Sequence, residues 1–275
     1  MPQRPRPPAV FPSGRPDRAP HPGSGLRSGP DVLVAVTGRS EALVELHERV
    51  RAATLTGEPY VAPQLSDILT ALPYPRYYLD FETIGPAVPI WAGTRPYDKI
   101  PVQWSCHIDD GTADDRYENM RHEEFLDLSG NPPMRALAES LVEVLGDSGP
   151  VLMYTNYEEQ VIRNLIEMFP DLKRDLEKII LRLFDLHPVV KDNYYHPDML
   201  GSWSIKAVLP TINAEMDYKK LEGIREGTAA SNGFLEAIGP ETDMLRKLEL
   251  EDQLRRYCRF DTEAMAEIVR FFTPR

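Results

Sequence analysis

Apolar residues recur along this chain with two different periods. Residues 77–83 form a strand, with Leu79 and Phe81 turned away from Asp80 and Glu82. Residues 102–108 alternate and predict a second strand, and Asp109-Asp110-Gly111 is a turn signal leading to a third strand near residues 116–120. Between the first two strands, residues 84–100 carry three Pro and two Gly and read as a loop. The period then lengthens: Met134, Leu137, Leu141 and Leu145 share one face of a helix over residues 133–145. Next come a buried strand (151–155), two helices (156–169 and 171–181), a strand-like stretch (182–186) and an aromatic loop (187–202). A helix starts over residues 204–209, and residues 245–272 are helical throughout. Three strands followed by alternating helices and strands predict an α/β fold: a mixed sheet with an antiparallel three-strand meander, flanked by helices.

Upstream, the pattern weakens. Residues 1–30 contain nine Pro, four Gly and five Arg against one Asp. That composition cannot bury a core and reads as a disordered, solvated tail. Residues 31–64 read as a leader, with an apolar run at 32–36, a helical pattern around Leu43, Leu46 and Val50, and a linker at 57–63. Ser66 is a candidate cap for a short helix over residues 67–72. The main domain spans residues 65–275.

Composition narrows the class. The two cysteines lie far apart, and no Cys/His spacing suggests zinc or iron–sulfur, which fits a reducing cytoplasm. No apolar stretch approaches the roughly 20 residues that span a bilayer, and the N-terminus lacks the core of an export signal. A net charge of −12 argues against tight, non-specific nucleic-acid binding, which comes from neutralising phosphates. An acidic protein can still act on phosphates if part of its negative charge holds metal and local cations line the approach. Candidates are Arg76, Arg95, Lys99, Lys206, Arg255, Arg256 and Arg259.

The chemistry concentrates at a few positions. Asp80 and Glu82, two apart on one strand, present paired carboxylates, which a central strand rarely leaves without partners; the alternative is a solvated strand end. Tyr257 and Asp261, four apart on a helix, share a face, with Phe260, Ala264, Ile268 and Phe271 as the buried side. Alone, that pair reads as an ordinary surface acid beside a packing tyrosine. Glu158 and Glu159 open the helix after residues 151–155; Asn156 with Glu159 makes a capping box, which leaves Glu158 to face the crevice at the strand's end. Asp185, His187, His196 and Asp198 match no specific metal spacing and read as satisfied loop groups. Trp203, Ser204 and Lys206 offer a ring, a hydroxyl and a cation at a loop-to-helix junction, though Trp203 reads equally as core.

Taken together, Asp80-x-Glu82-Thr83, Tyr157-Glu158 after a strand, and Tyr257-x-x-x-Asp261 resemble the three motifs of the DnaQ-like DEDD exonucleases, tyrosine subtype. The stretches over residues 72–84 and 196–206 resemble a bacterial branch of that superfamily, in which the domain often follows a RecB-like nuclease domain. On that reading residues 31–64 are a remnant of the upstream domain. The resemblance covers about residues 65–272 and implies a ribonuclease-H-like fold. It implies a metal-dependent 3′–5′ exonuclease for single-stranded DNA or RNA, with two Mg²⁺ or Mn²⁺ ions held by Asp80, Glu82, Glu158 and Asp261. Tyr257 would orient or help deprotonate the attacking water, and Thr83, Trp203, Ser204 and Lys206 would contact substrate. A stacking ring such as Trp203, Tyr194 or Trp91 would hold the terminal base. The second motif departs from the usual pattern: Glu158 stands where Asp is common, and Tyr154 stands near the usual Asn. The rival readings are a catalytically silent module that binds nucleic acid or a partner protein, and a phosphatase for small phosphate esters.

Overall fold

A computed structural model describes residues 30–112 and 119–273, with side chains from Leu43 onward. The described residues fall into two compact units divided after Val44. Helix α1 (Pro30–Thr56) begins in the first and ends in the second, so the apolar run at 32–36 is helical.

The larger unit is built on a five-stranded mixed sheet. Its strands are β2 (Arg76–Ile84), β3 (Ile100–Asp109), β4 (Arg121–Leu126), β5 (Val151–Met153) and β6 (Leu183–Asp185), in the order β4-β3-β2-β5-β6. The β4-β3-β2 half is an antiparallel meander, while β5 and β6 join in parallel. The third strand thus begins later than the alternation suggests; of the expected stretch, residues 116–118 lie outside the described residues. A short antiparallel pair, β1 (Tyr60–Val61) with β7 (Tyr194–Tyr195), lies apart from this sheet. It uses the expected linker, and Ala53 of α1 packs in the same cluster as Leu65 and Leu69. Residues 45–64 therefore pack with the main unit.

The two faces of the central strands differ in chemistry, and that difference places the site. On one face Leu79 and Phe81 of β2, with Trp104 and Cys106 of β3, belong to one core with Leu137 and Leu141 of α3 (Met134–Leu145) and with Val161, Ile162 and Leu165 of α4 (Tyr157–Met168). Each fully buried leucine contributes about 1.5–3 kcal/mol. The opposite face carries Asp80 and Glu82 beside Gln103, Ser105 and His107, and α9 (Met244–Phe272) covers it. Polar atoms of this layer need partners once water is excluded. Gln103 donates to the carbonyl of Leu254 at 3.1 Å, and the Thr262 hydroxyl bonds Ser105 at 3.1 Å and His107 Nδ1 at 2.8 Å. These bonds fix the rotation of α9 on the sheet.

The remaining helices are α2 (Leu65–Thr70), α5 (Lys173–Ile180), α6 (Leu186–Asn193), α7 (Ile205–Ile212) and α8 (Gly227–Ala237). Four local expectations need correction. Ser66 lies inside α2, whose cap position is Gln64 without a side-chain bond. Residues 187–202 are not all loop, because α6, β7 and a short 3₁₀ turn occupy most of them. The Asn156 capping box does not form, and Glu159 pairs instead with Arg163 at 2.5 Å. Phe271 is 42% exposed; the buried face of α9 runs through Cys258, Thr262, Met265 and Val269. No helix among the described residues is long and apolar enough to cross a membrane.

Candidate metal centre

Antiparallel pairing puts Asp80 opposite Ser105 and Glu82 opposite Gln103, and the register shifts between Glu82 and Thr83. Such an irregularity bends a strand and re-aims the side chains around it. From above, α9 lowers Asp261 onto this point, one turn after Tyr257. One carboxylate oxygen from each of Asp80, Glu82 and Asp261 lies within 4.8 Å of the others. The three residues share a solvent-open cleft of about 430 Å³ with Thr83, Tyr157, Gly227, Thr228, Ser231 and Tyr257.

Glu158 stands beside this trio without completing it. It projects from the first turn of α4 and is 3% exposed, and its Oε2 has no hydrogen-bond partner among the described residues. The chain reaches this turn through Thr155, whose φ of 101° is rare for a side-chain-bearing residue. Asp185 holds the turn by accepting from the Thr155 N–H at 3.0 Å and the His187 N–H at 2.9 Å. That explains Asp185 as a backbone clasp. His196 is likewise used locally, accepting from the Asp198 N–H.

Electrostatics follow from this crowding. Two full negative charges at such separations repel by roughly 3 kcal/mol at the effective dielectric of a protein site. Burial, then Asp261, Glu82 and Glu158, hold the Asp80 carboxyl well above its ordinary range. Burial and Asp261 raise Glu82 likewise, against the lowering effect of Lys206. Glu158 is pushed up to about 8 by burial, with Asp185 and Asp261 adding and a backbone hydrogen bond opposing. Asp261 reaches only about 6, because a hydrogen bond from Tyr218 and the charge of Lys206 offset its burial. The donor set is all oxygen and anionic, and Glu158 brings a buried acceptor with nothing to accept from. Hard divalent cations suit such a set, so the residues fit Mg²⁺ or Mn²⁺.

Tyr257 lines the cleft, and its hydroxyl is raised above its ordinary value by burial and by Asp261, Glu82 and Asp80. Lys206 Nζ donates to this hydroxyl at 3.2 Å and to the Arg225 carbonyl at 2.9 Å. Across the cleft, Thr83 Oγ1 and the Tyr157 hydroxyl share a short hydrogen bond, and Lys99 Nζ sits 4.8 Å from the Tyr157 ring centre.

Other expected substrate contacts lie elsewhere. Trp203 and Ser204 do not line the cleft: the Trp203 indole donates to the Tyr194 carbonyl and packs on Tyr195, and Ser204 precedes α7. Tyr194 is buried against Phe272, and Trp91 is buried with its indole bonded to the Gly130 carbonyl. None of the three expected stacking rings is offered to the cleft; Tyr157 and Tyr257 are the tyrosines that line it. Among the expected cations, Arg255, Arg256 and Arg259 are paired with acids of α9, and Arg76 is buried against the carbonyls of Thr70 and Leu72. One residue had no sequence signal. Tyr218, in a stretch with no clear period, donates a short hydrogen bond to Asp261 Oδ1.

Residues 77–204 match the family model described as a domain of unknown function, DUF2779. That span includes Asp80, Glu82 and Glu158 and stops short of Lys206, Tyr218 and Asp261. The chain is also similar to a protein of Mycoplasma pneumoniae named "Uncharacterized protein MG366 homolog", at 25% identity over 213 residues, covering 71% of this chain and 32% of that protein. A second relative, "Uncharacterized protein UU173" of Ureaplasma parvum, is 24% identical over 228 residues, or 74% of this chain and 32% of the relative. The chain spans about a third of the length of these curated relatives. No solved structure matches it.

Proposed function

We propose that this chain is a metal-dependent 3′–5′ exonuclease acting on single-stranded DNA or RNA, with the ribonuclease-H-like fold that the motif resemblance implies. The observation that carries the reading is the convergence of Asp80, Glu82 and Asp261, distant in sequence, within 4.8 Å in an open cleft. An antiparallel meander continued by parallel strands, with the acids on the strand at the change of direction, supports the fold.

Asp80, Glu82, Glu158 and Asp261 would hold two Mg²⁺ or Mn²⁺ ions, whose charge would acidify a water and neutralise the phosphate and the leaving oxygen. Tyr257, which lines the cleft, would orient the attacking water or help to deprotonate it. Lys206 donates to the Tyr257 hydroxyl and supplies a positive charge beside the cleft. Tyr157, held by Thr83, offers a ring face for a terminal base. The substrate grip is therefore slight, in keeping with a net charge of −12.

Alanine at Asp80 or at Asp261 abolishes Mn²⁺-dependent shortening of a 5′-labelled oligonucleotide while the fold, followed by circular dichroism, survives. Undiminished activity in either folded variant refutes the assignment. One observation favours a second reading, a silent binding module: Lys206 already lowers the charge burden on Glu82 and Asp261 without a metal. On that reading, Mn²⁺ binds the wild-type protein no better than the Asp80→Asn variant.

A further inference from the structure

Tyr218 lies in the segment between α7 and α8, outside every motif read from the sequence. Its backbone is set by a short 3₁₀ turn, Tyr218–Lys220, which the Asp217 carboxylate caps by accepting from the Lys219 N–H at 2.9 Å. The ring is 4% exposed and wedged from several sides. Phe260 meets it edge-on with 4.8 Å between centres, Tyr257 lies at 6.4 Å, and Lys206 Nζ stands 4.8 Å from its centre. A ring so fixed aims its hydroxyl in one direction, and the acceptor there is Asp261 Oδ1.

Resting on the metal-centre reading above, we infer that Tyr218 is a positioning residue, which locks the rotation of the Asp261 carboxylate and so selects the oxygen offered to a divalent cation. Asp261 is the member of the trio brought in by a helix rather than a strand, so its orientation is the least determined by sheet geometry. Beneath it, the Thr262 bonds to Ser105 and His107 fix the helix, and the phenol fixes the side chain. Groups that orient ligands in this way typically change metal affinity by about 10–100-fold when removed. A merely space-filling tyrosine would cost stability on losing its hydroxyl and leave metal affinity alone.

The test is calorimetric titration of the full chain with Mn²⁺, comparing wild type, Asp261→Asn and Tyr218→Phe. The inference predicts that Tyr218→Phe binds about 10-fold or more weakly, while Asp261→Asn loses the site. Wild-type affinity in a folded Tyr218→Phe protein overturns the inference and leaves the metal centre standing. Absent or Asp261-independent binding in the wild type overturns the metal-centre reading itself, and this inference with it. If Tyr218→Phe does not fold, tyrosine difference absorbance decides, in a Tyr157→Phe, Tyr257→Phe background where Tyr218 remains bonded to the trio. A change on adding Mg²⁺ supports the inference, and an unchanged spectrum overturns it.

Discussion

Single residues carry the chemistry here, and their legibility varied with how local their reasons are. Asp80 and Glu82 were visible because a strand's two-residue period puts them on one face, and a polar pair there lacks an apolar explanation. Glu158 was half visible: its place at a strand's end was readable, whereas its unpartnered Oε2 is a fact of packing. Tyr218 was invisible, since its partner lies 43 positions away and no period links them. A consequence for pH follows from the raised carboxyls. Glu158 moves from 4.5 to about 8, and Asp261 from 3.8 to about 6. At these two groups the folded protein holds more protons than the unfolded chain, so their contribution to stability falls as pH rises through the window. The buried His107 and half-buried His122, whose values are lowered, act in the opposite sense. With metal chelated, Glu158→Gln should therefore gain melting temperature relative to the wild type as pH rises from 4.5 to 8. A difference that stays flat or shrinks over that range would contradict the electrostatic account.

At the scale of elements, the sequence was reliable where one period persists. The strands over 76–84 and 100–109 and the helices over 134–145 and 244–272 fall where alternation or the three-to-four-residue period places them. It failed where special residues mask the period. Pro188 suggested a loop, yet it falls in the first turn of α6, where its missing N–H costs nothing. Gly227 and Gly233 hid α8, a helix that brings Gly227, Thr228 and Ser231 to the cleft. Close approach of backbones also escapes pattern reading. Gly149, with φ of 81°, lies just before β5, and a Cβ there would sit 2.0 Å from the Pro75 carbonyl oxygen, just before β2. Alanine at Gly149 should force β5 away from β2 and cost about 2–4 kcal/mol, measurable by urea unfolding. A change within about 0.5 kcal/mol would show that the two strands are not pressed together there.

Across the whole molecule, a mixed α/β sheet flanked by helices was readable from the order of elements alone. Which elements meet was not, because α9 crosses the sheet from the far end of the sequence and its docking depends on Thr262, Gln103 and His107 as well as on its apolar stripe. The same polar layer explains why an acidic chain tolerates a further concentration of acids: three carboxylates are held together by a sheet on one side and a pinned helix on the other. We propose that a divalent cation joins this arrangement in place of the protons that otherwise quench its charge, and that is the central claim. Crystals soaked in Mn²⁺ and measured at the manganese absorption edge test it directly. The account predicts anomalous density enclosed by Asp80, Glu82 and Asp261, absent from an Asp80→Asn protein; density only at other sites, or none, would contradict it.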